Sequence, residues 1–279
     1  MIKTALAAAI LAACALPVGA QTIERMQETN KLNMGFRTDA PPLSYLDGTG
    51  APAGYSLLVC GQVAQFIVNE LKIEELEIEL IPVTAENRFE KVARGEVDIL
   101  CGAATITLER RELVDFSIPT YVDGTAVMLP PGSISSFSDF EGKSLGVRKG
   151  TTTEGALANT LASTSVTAEV VTYDSHIKGM EAMQDGDIAA YFADQSILLY
   201  LNLGINSAQD FQVMDRLLTI EKHGLALARG DDDFRLLVDR AISRLYDTGA
   251  MERNFREALP GAEPGQAIQA LFLIAPTLP

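Results

Sequence analysis

The chain has 279 residues and carries 22 Lys and Arg against 37 Asp and Glu, a formal net charge of -15. A surface this acidic repels phosphate, which argues against nucleic acid or an anionic membrane as partner. Only two histidines and three cysteines are present, with no C-x-x-C and no H-E-x-x-H, so a His-rich metal site is excluded and no cofactor is expected.

The N-terminus reads as a targeting segment. Lys3 is the sole charge before Glu24, Thr4 to Leu16 is an Ala/Leu run too short to span a membrane, and Val18-Gly-Ala20 is a small-residue cleavage site. Residues 1–20 are therefore expected to be a signal peptide, and the protein to be periplasmic. Leu11-Ala-Ala-Cys14 also fits a lipobox, which would instead leave an acylated Cys14 as an anchor. On either path Cys60 and Cys101 remain as a possible disulfide in an oxidising compartment, with two buried free thiols as the alternative.

Gln21 to Lys31 reads as a leading helix and Leu32 to Phe36 as the first strand, with Arg37 just past it and a Pro41-Pro42 turn that cannot be helical. A small hairpin about Asp47-Gly-Thr-Gly50 precedes a helix from Ser56 to Leu71, whose apolar residues fall at helical spacing. Leu76 to Val83 alternates as a strand, Asn87 to Arg94 is a helix stopped by Gly95, and Val97 to Gly102 is the next strand. Strand and helix in alternation imply parallel strands covered on both faces, with ligands bound at the carboxyl ends of the strands. Arg37, Arg88 and Arg110 each fall at or near such an end. Any one alone reads as a solvated arginine, but three at equivalent positions in an acidic chain point to an anionic ligand.

The stretch from Cys101 to Ser117 carries the most chemistry. Gly102, Ala103 and Ala104 let a ligand approach the backbone, Thr105 supplies a hydroxyl donor, and Arg110, on a helical turn begun at Thr107, can grip a carboxylate bidentately. Without a ligand in mind the same residues are a strand end, a Thr cap and a surface arginine.

Tyr121 to Pro131 is extended and reads as a crossing into a second lobe, where the rhythm restarts. Strands are expected at Ser144 to Val147, Val166 to Thr172 and Ile188 to Phe192, and helices at Thr153 to Leu161, Ser175 to Gln184 and Asp194 to Leu203. Thr151 with Glu154 three residues on forms a capping-box pattern, which would place free N–H groups where a carboxylate is favoured. His176 sits at the start of a helix, and Asp194 follows a strand, where it could accept from an ammonium group or serve as a plain N-cap. Leu217 to Ala228 would be the return crossing. Gly230 to Asp233 caps a helix from Phe234 to Asp247, Met251 to Leu259 makes another, and the apolar tail after Pro260 is broken by prolines and suggests no function. Gly142-Lys-Ser144 lacks the upstream glycine of a phosphate loop, since Phe137 stands there.

The pattern G-x-x-T-x-T-x-E-R followed by V-D-F-S, at Gly102 to Ser117, resembles the signature of extracytoplasmic amino-acid-binding proteins of ABC importers. The opening Thr22-Ile-Glu-Arg, Gly35-Phe-Arg37, Pro42-Leu-Ser-Tyr45 and Asn87-Arg88 are similar to the glutamate/aspartate-binding branch. The resemblance implies an α/β, two-lobed type II periplasmic-binding-protein fold, each lobe a mixed sheet flanked by helices, with two crossing strands as hinge. Lobe 1 would be residues 22–125 and 222–279, and lobe 2 residues 126–221. It further implies that Thr105 and Arg110 hold the ligand's α-carboxylate and Asp194 its ammonium, with Arg37, Arg88 and His176 about the side-chain carboxylate and Ala103 and Thr151 as further contacts. Two departures stand out. Ala40 and Ala85 are small where binders of neutral or basic amino acids often place aromatic walls, and Arg148 replaces a small hydroxyl residue, a further cation that could admit a longer acid.

The function so implied is capture of an acidic amino acid by a monomer that delivers it to a membrane permease, without chemistry. A cyclohexadienyl or arogenate dehydratase on the same fold, with Asp194 or Glu221 as proton donor, is the rival from another class. A receptor's sensor domain is a third, though no spanning helix follows.

Overall fold

A computed structural model describes residues 21–134, 136–204 and 211–277. The expected signal peptide, its cleavage site and Cys14 lie outside them. The chain opens with α1 (Thr22–Thr29) and β1 (Lys31–Arg37), then a small antiparallel sheet of β2 (Asp39–Ala40), β3 (Ser44–Leu46) and β4 (Pro52–Ala53). Next come α2 (Tyr55–Leu71), β5 (Glu77–Val83), α3 (Arg88–Ala93), β6 (Ile99–Cys101) and β7 (Val114–Phe116). After β8 (Tyr121–Asp123) the chain enters a second body made of β9 (Thr125–Leu129), β10 (Ser144–Arg148), α4 (Thr152–Thr164), β11 (Glu169–Tyr173), α5 (His176–Gln184), β12 (Ala190–Asp194), α6 (Gln195–Gly204) and β13 (Gln212–Val213). It returns through β14 (Glu221–His223) to β15 (Ala226–Ala228), and ends in α7 (Asp232–Asp247), α8 (Ala250–Ala258) and α9 (Gln266–Ile274).

Two five-stranded mixed sheets result, ordered β5-β1-β6-β15-β7 and β11-β10-β12-β9-β13. In the first, β1 runs parallel to β5 and β6 while β15 enters antiparallel between β6 and β7. In the second, β10 is parallel to β11 and β12, and β9 is antiparallel to β12. The lobes are joined by β8 and β14, an antiparallel pair with Glu221 opposite Asp123 and His223 opposite Tyr121. The expected two-lobed plan with two crossing strands is the one adopted. What sequence reading took as long extended crossings is mostly sheet: only three residues of each crossing form the hinge pair, while β9 and β15 belong to the lobes.

Both faces of the first sheet are covered because successive side chains point to opposite sides. Ile99 and Cys101 pack with α2, α7 and α8 in one fully buried layer, while Leu100, Val114 and Ala226 pack with Val83 and Val92 in another. The second lobe closes over Leu145, Val147, Phe140 and Phe192. Cys60 of α2 and Cys101 of β6 form the expected disulfide. The tail, for which the sequence suggested no role, supplies α9, whose Ile268 and Leu271 join the first lobe's core. Among the described residues no helix is long and apolar enough to cross a membrane.

Candidate functional site

In each lobe the parallel strands end facing the other lobe, so Arg37 at the end of β1 and Ala103 just past β6 confront Arg148 at the end of β10 and Asp194 at the end of β12. A small pocket lies between them. Arg37, Arg88, Ala103, Thr105, Arg110, Thr151, His176 and Asp194 all line it, together with Thr152, Thr153 and Ile197. Eight of the nine residues expected to touch ligand are thus brought together from positions 37 to 194, and the ninth, Arg148, is not among the lining residues.

Cations dominate the first-lobe wall. Arg88 opens α3, is 2% exposed, and donates from Nη1 to the carbonyls of Ala85 and Gly150, whereas its Nε has no partner among the described residues. Arg110 donates to the Thr105 carbonyl at 2.9 Å and takes Thr107 Oγ1 as the cap of its own turn at 3.1 Å. Both guanidiniums lie over the ring of Phe89, 4.5 and 4.8 Å from its centre. The ring's negative face offsets part of the repulsion between two like charges held side by side. Gly102 contributes by what it lacks: a Cβ there would stand 3.2 Å from Arg37 Cγ, a contact tight enough to make this arginine shift by a few tenths of an ångström.

Arg37 is already engaged. Its Nε and Nη2 donate to Asp39 Oδ1 at 3.0 and 2.6 Å. The other oxygen of Asp39 accepts from Arg148 Nε at 2.8 Å, across the cleft. Arg148 also pairs with Glu86 through Nη1 at 2.6 Å and Nη2 at 3.3 Å. Burial pushes the Asp39 carboxyl up, but Arg37, His176 and Arg148 outweigh it and hold it down at about 2. The extra cation read as a ligand contact is therefore an interlobe ion-pair partner. His176, at the start of α5, shares a 3.0 Å hydrogen bond through Nδ1 with Tyr191 Oη. Burial, with Arg37 and Arg148 beside it, pushes its pKa down to about 3, so the ring is neutral.

The opposite wall is anionic. Burial and the neighbouring Glu221 push Asp194 up to about 7, against the pull of Arg37, Arg110 and Arg88. Glu221, on the hinge strand β14, accepts from four hydroxyls: Thr105 at 2.6 Å and Thr152 at 2.7 Å on one oxygen, Thr219 at 2.6 Å and Thr125 at 3.2 Å on the other. These donors keep its pKa below the ordinary value despite burial. His223 is 2% exposed, neither ring nitrogen has a hydrogen-bond partner among the described residues, and its Nε2 lies 3.6 Å from Asp194 Oδ2. Asp194, Glu221 and His223 offer ligand atoms within 4.8 Å of one another. With Glu221 saturated by hydroxyls and Arg88 and Arg110 acting on the same cluster, the wall suits a single positive charge better than a divalent ion.

One local expectation is corrected. Thr151 is the N-cap of α4 by backbone, but its Oγ1 turns away to donate to the Arg148 carbonyl, and Glu154 accepts from Gly150 N rather than closing a capping box. The acidic helix start does cap α7 as expected, through Asp231, which also accepts from Thr22 N of α1. Sequence reading missed Asp39, Glu86, Phe89 and the hydroxyls on Glu221. An acid two residues past a candidate ligand arginine, and an aromatic directly after another, were the signals available.

Residues 32–259 match the family model of bacterial extracellular solute-binding proteins, family 3. The L-glutamate/L-aspartate-binding protein of Pseudomonas aeruginosa is 30% identical over 260 residues, covering 91% of this chain and 85% of the relative. The glutamate/aspartate import solute-binding protein of Salmonella typhimurium is 25% identical over 240 residues, 86% of this chain and 80% of the relative. Among solved structures, the cysteine-binding protein of Campylobacter jejuni superposes with a TM-score of 0.77 at 23% identity, covering 88% of this chain and 96% of that one.

Proposed function

The chain belongs to the bacterial extracellular solute-binding proteins of family 3, and from that premise we propose that it captures an acidic amino acid, glutamate or aspartate, in the periplasm for import through the permease of an ABC transporter. One observation carries the choice of ligand: three guanidiniums, Arg37, Arg88 and Arg110, line a pocket whose one lining carboxylate is Asp194. A zwitterion's own carboxylate and ammonium use one cation and one anion. A second negative charge on the ligand answers the surplus.

In this reading the α-carboxylate lies against Arg110 and Thr105, the ammonium against Asp194, and the side chain toward Arg88 and His176, with Ala103 leaving the backbone accessible and Thr151 contributing from the second lobe. Lobe 1 is residues 22–125 and 222–279, lobe 2 is residues 126–221, and the two close on the ligand about β8 and β14. The protein acts as a monomer, exported by a signal peptide over residues 1–20. Of the dehydratase rival's two candidate proton donors, Glu221 is held as an anion by four hydroxyl donors and makes a poor one, while Asp194, in this reading, is the seat of the ligand's ammonium.

Titration calorimetry against aspartate, glutamate, asparagine and glutamine tests the reading. Acidic ligands should bind at least about tenfold tighter than their amides, because a hydrogen bond to a charged group is worth about 1.5–3 kcal/mol. A preference for the amides would remove the acidic assignment, and turnover of prephenate would replace binding with catalysis.

A further inference from the structure

We propose that Asp39 is a specificity-determining residue, a carboxylate of the chain itself that holds the distal end of the pocket, occupies Arg37, and leaves Arg88 to meet the ligand's side chain. The proposal rests on the acidic-amino-acid reading for the ligand's identity, but its geometry stands apart from that reading. Asp39 follows β1 by two residues, and its two oxygens are spent on two different lobes: Oδ1 on Arg37, Oδ2 on Arg148. It takes the Nε–Nη2 edge of Arg37, one of the two edges on which a guanidinium grips a carboxylate bidentately. A ligand carboxylate that sought the same edge would have to displace a carboxylate already in place.

Arg88 is in the opposite condition. It is as buried as Arg37, yet it donates only to the carbonyls of Ala85 and Gly150, its Nε has no acceptor, and no carboxylate pairs with it among the described residues. A buried cation without a counter-charge gains more from an arriving anion than one already paired. His176, the other group expected at the side-chain end, has its Nδ1 engaged with Tyr191 Oη and carries no charge to add. Two consequences follow. Charge selectivity is carried by Arg88 rather than shared with Arg37, and Asp39 opposes a ligand's side-chain carboxylate by its own charge. The chain's affinity for acids is thereby held below what its three arginines would support.

The test is Asp39→Asn, with aspartate, glutamate and glutamine titrated against variant and wild type. Loss of the Asp39–Arg148 contact weakens lobe closure for every ligand alike, so it cancels in the ratio of acid to amide affinity. That ratio should rise about tenfold or more, the worth of freeing one charged hydrogen-bonding edge. A ratio that stays within twofold, or falls, overturns the proposal and makes Asp39 a strut for Arg37. If the variant does not fold, wild type still decides through the Nε–H resonances of Arg37 and Arg88, assigned with single Lys substitutions. Saturation with glutamate should move the Arg88 signal and leave that of Arg37 in place, and the reverse pattern overturns the assignment. The two readings fail separately: a wild type that prefers glutamine removes the acidic ligand, while a rising ratio in Asp39→Asn still establishes the role of Asp39. A protein that binds neither acid nor amide removes both.

Discussion

Asp194 shows how one buried side chain couples ligand capture to pH. Burial and Glu221 push it up to about 7, so near neutrality part of the population carries a proton at the seat proposed for the ligand's ammonium. An arriving ammonium favours the ionised form, so binding lowers this pKa and expels the proton. The sign follows: affinity falls as pH drops below about 7, by up to tenfold per unit, until the pKa of the bound state is reached. Calorimetry in buffers of different ionisation enthalpy should register about half a proton released per ligand at pH 7, rising toward one near pH 6, and an affinity flat from pH 8 to 5.5 would remove Asp194 from the seat. Asp123, pushed up to about 7 by burial and Asp194, titrates in the same range but bonds Ser196 and the Gly124 amide, so Asp123→Asn is the control. At this scale the sequence was informative about cations and poor about their partners. Arg37, Arg88 and Arg110 stood at strand ends in an acidic chain, where pattern could find them. The pairing of Arg148 with Asp39 and Glu86 arises only when two lobes meet, across 109 and 62 residues of chain.

At the scale of elements, the disulfide joins the helix that covers the first sheet to the central strand that leads to Ala103 and Thr105. Cys60 and Cys101 are both fully buried and separated by 41 residues. Cross-linking a loop of that length restricts the unfolded chain and stabilises by about 2–4 kcal/mol. Replacing both by alanine should lower the melting temperature by about 4 °C or more, and alkylation of the unreduced protein unfolded in denaturant should label neither cysteine. Two modified thiols in the mass spectrum would refute the bridge. The periodic elements were legible, α2 from its apolar spacing and β5 from its alternation. Less legible were β7, three residues long, and α9, a helix from Gln266 to Ile274 masked by the flanking Pro264 and Pro276. The crossings misled for a physical reason: β9 and β15 are as extended as the hinge strands, and only pairing tells them apart. Gly124 marks the change, since a Cβ there would lie 2.2 Å from the Thr219 carbonyl oxygen.

For the whole molecule, the contacts between lobes define what closure must form and what opening must break. Arg148 meets Asp39 and Glu86, Arg88 reaches the Gly150 carbonyl, Thr105 and Thr152 share Glu221, and Tyr45 and Tyr200 touch at the cleft's rim with their hydroxyls 3.2 Å apart. Of these, the Arg148 pairs carry the most charge and lie away from the pocket lining. Their removal should change how readily the lobes close without changing what the closed pocket recognises. Since apparent affinity scales with the fraction of protein able to close, Arg148→Gln should weaken aspartate, glutamate and their amides together, about tenfold for the loss of two partly buried ion pairs, with only a small further cost to the acids from the Asp39 oxygen left without Arg148. Small-angle scattering should show a larger radius of gyration than wild type without ligand, and the same radius once ligand is saturating. This outcome separates the two roles that Arg148 could hold. As a latch it acts on every ligand alike. As the ligand contact expected from sequence, it would cost the acids far more than the amides and leave the ligand-free shape unchanged.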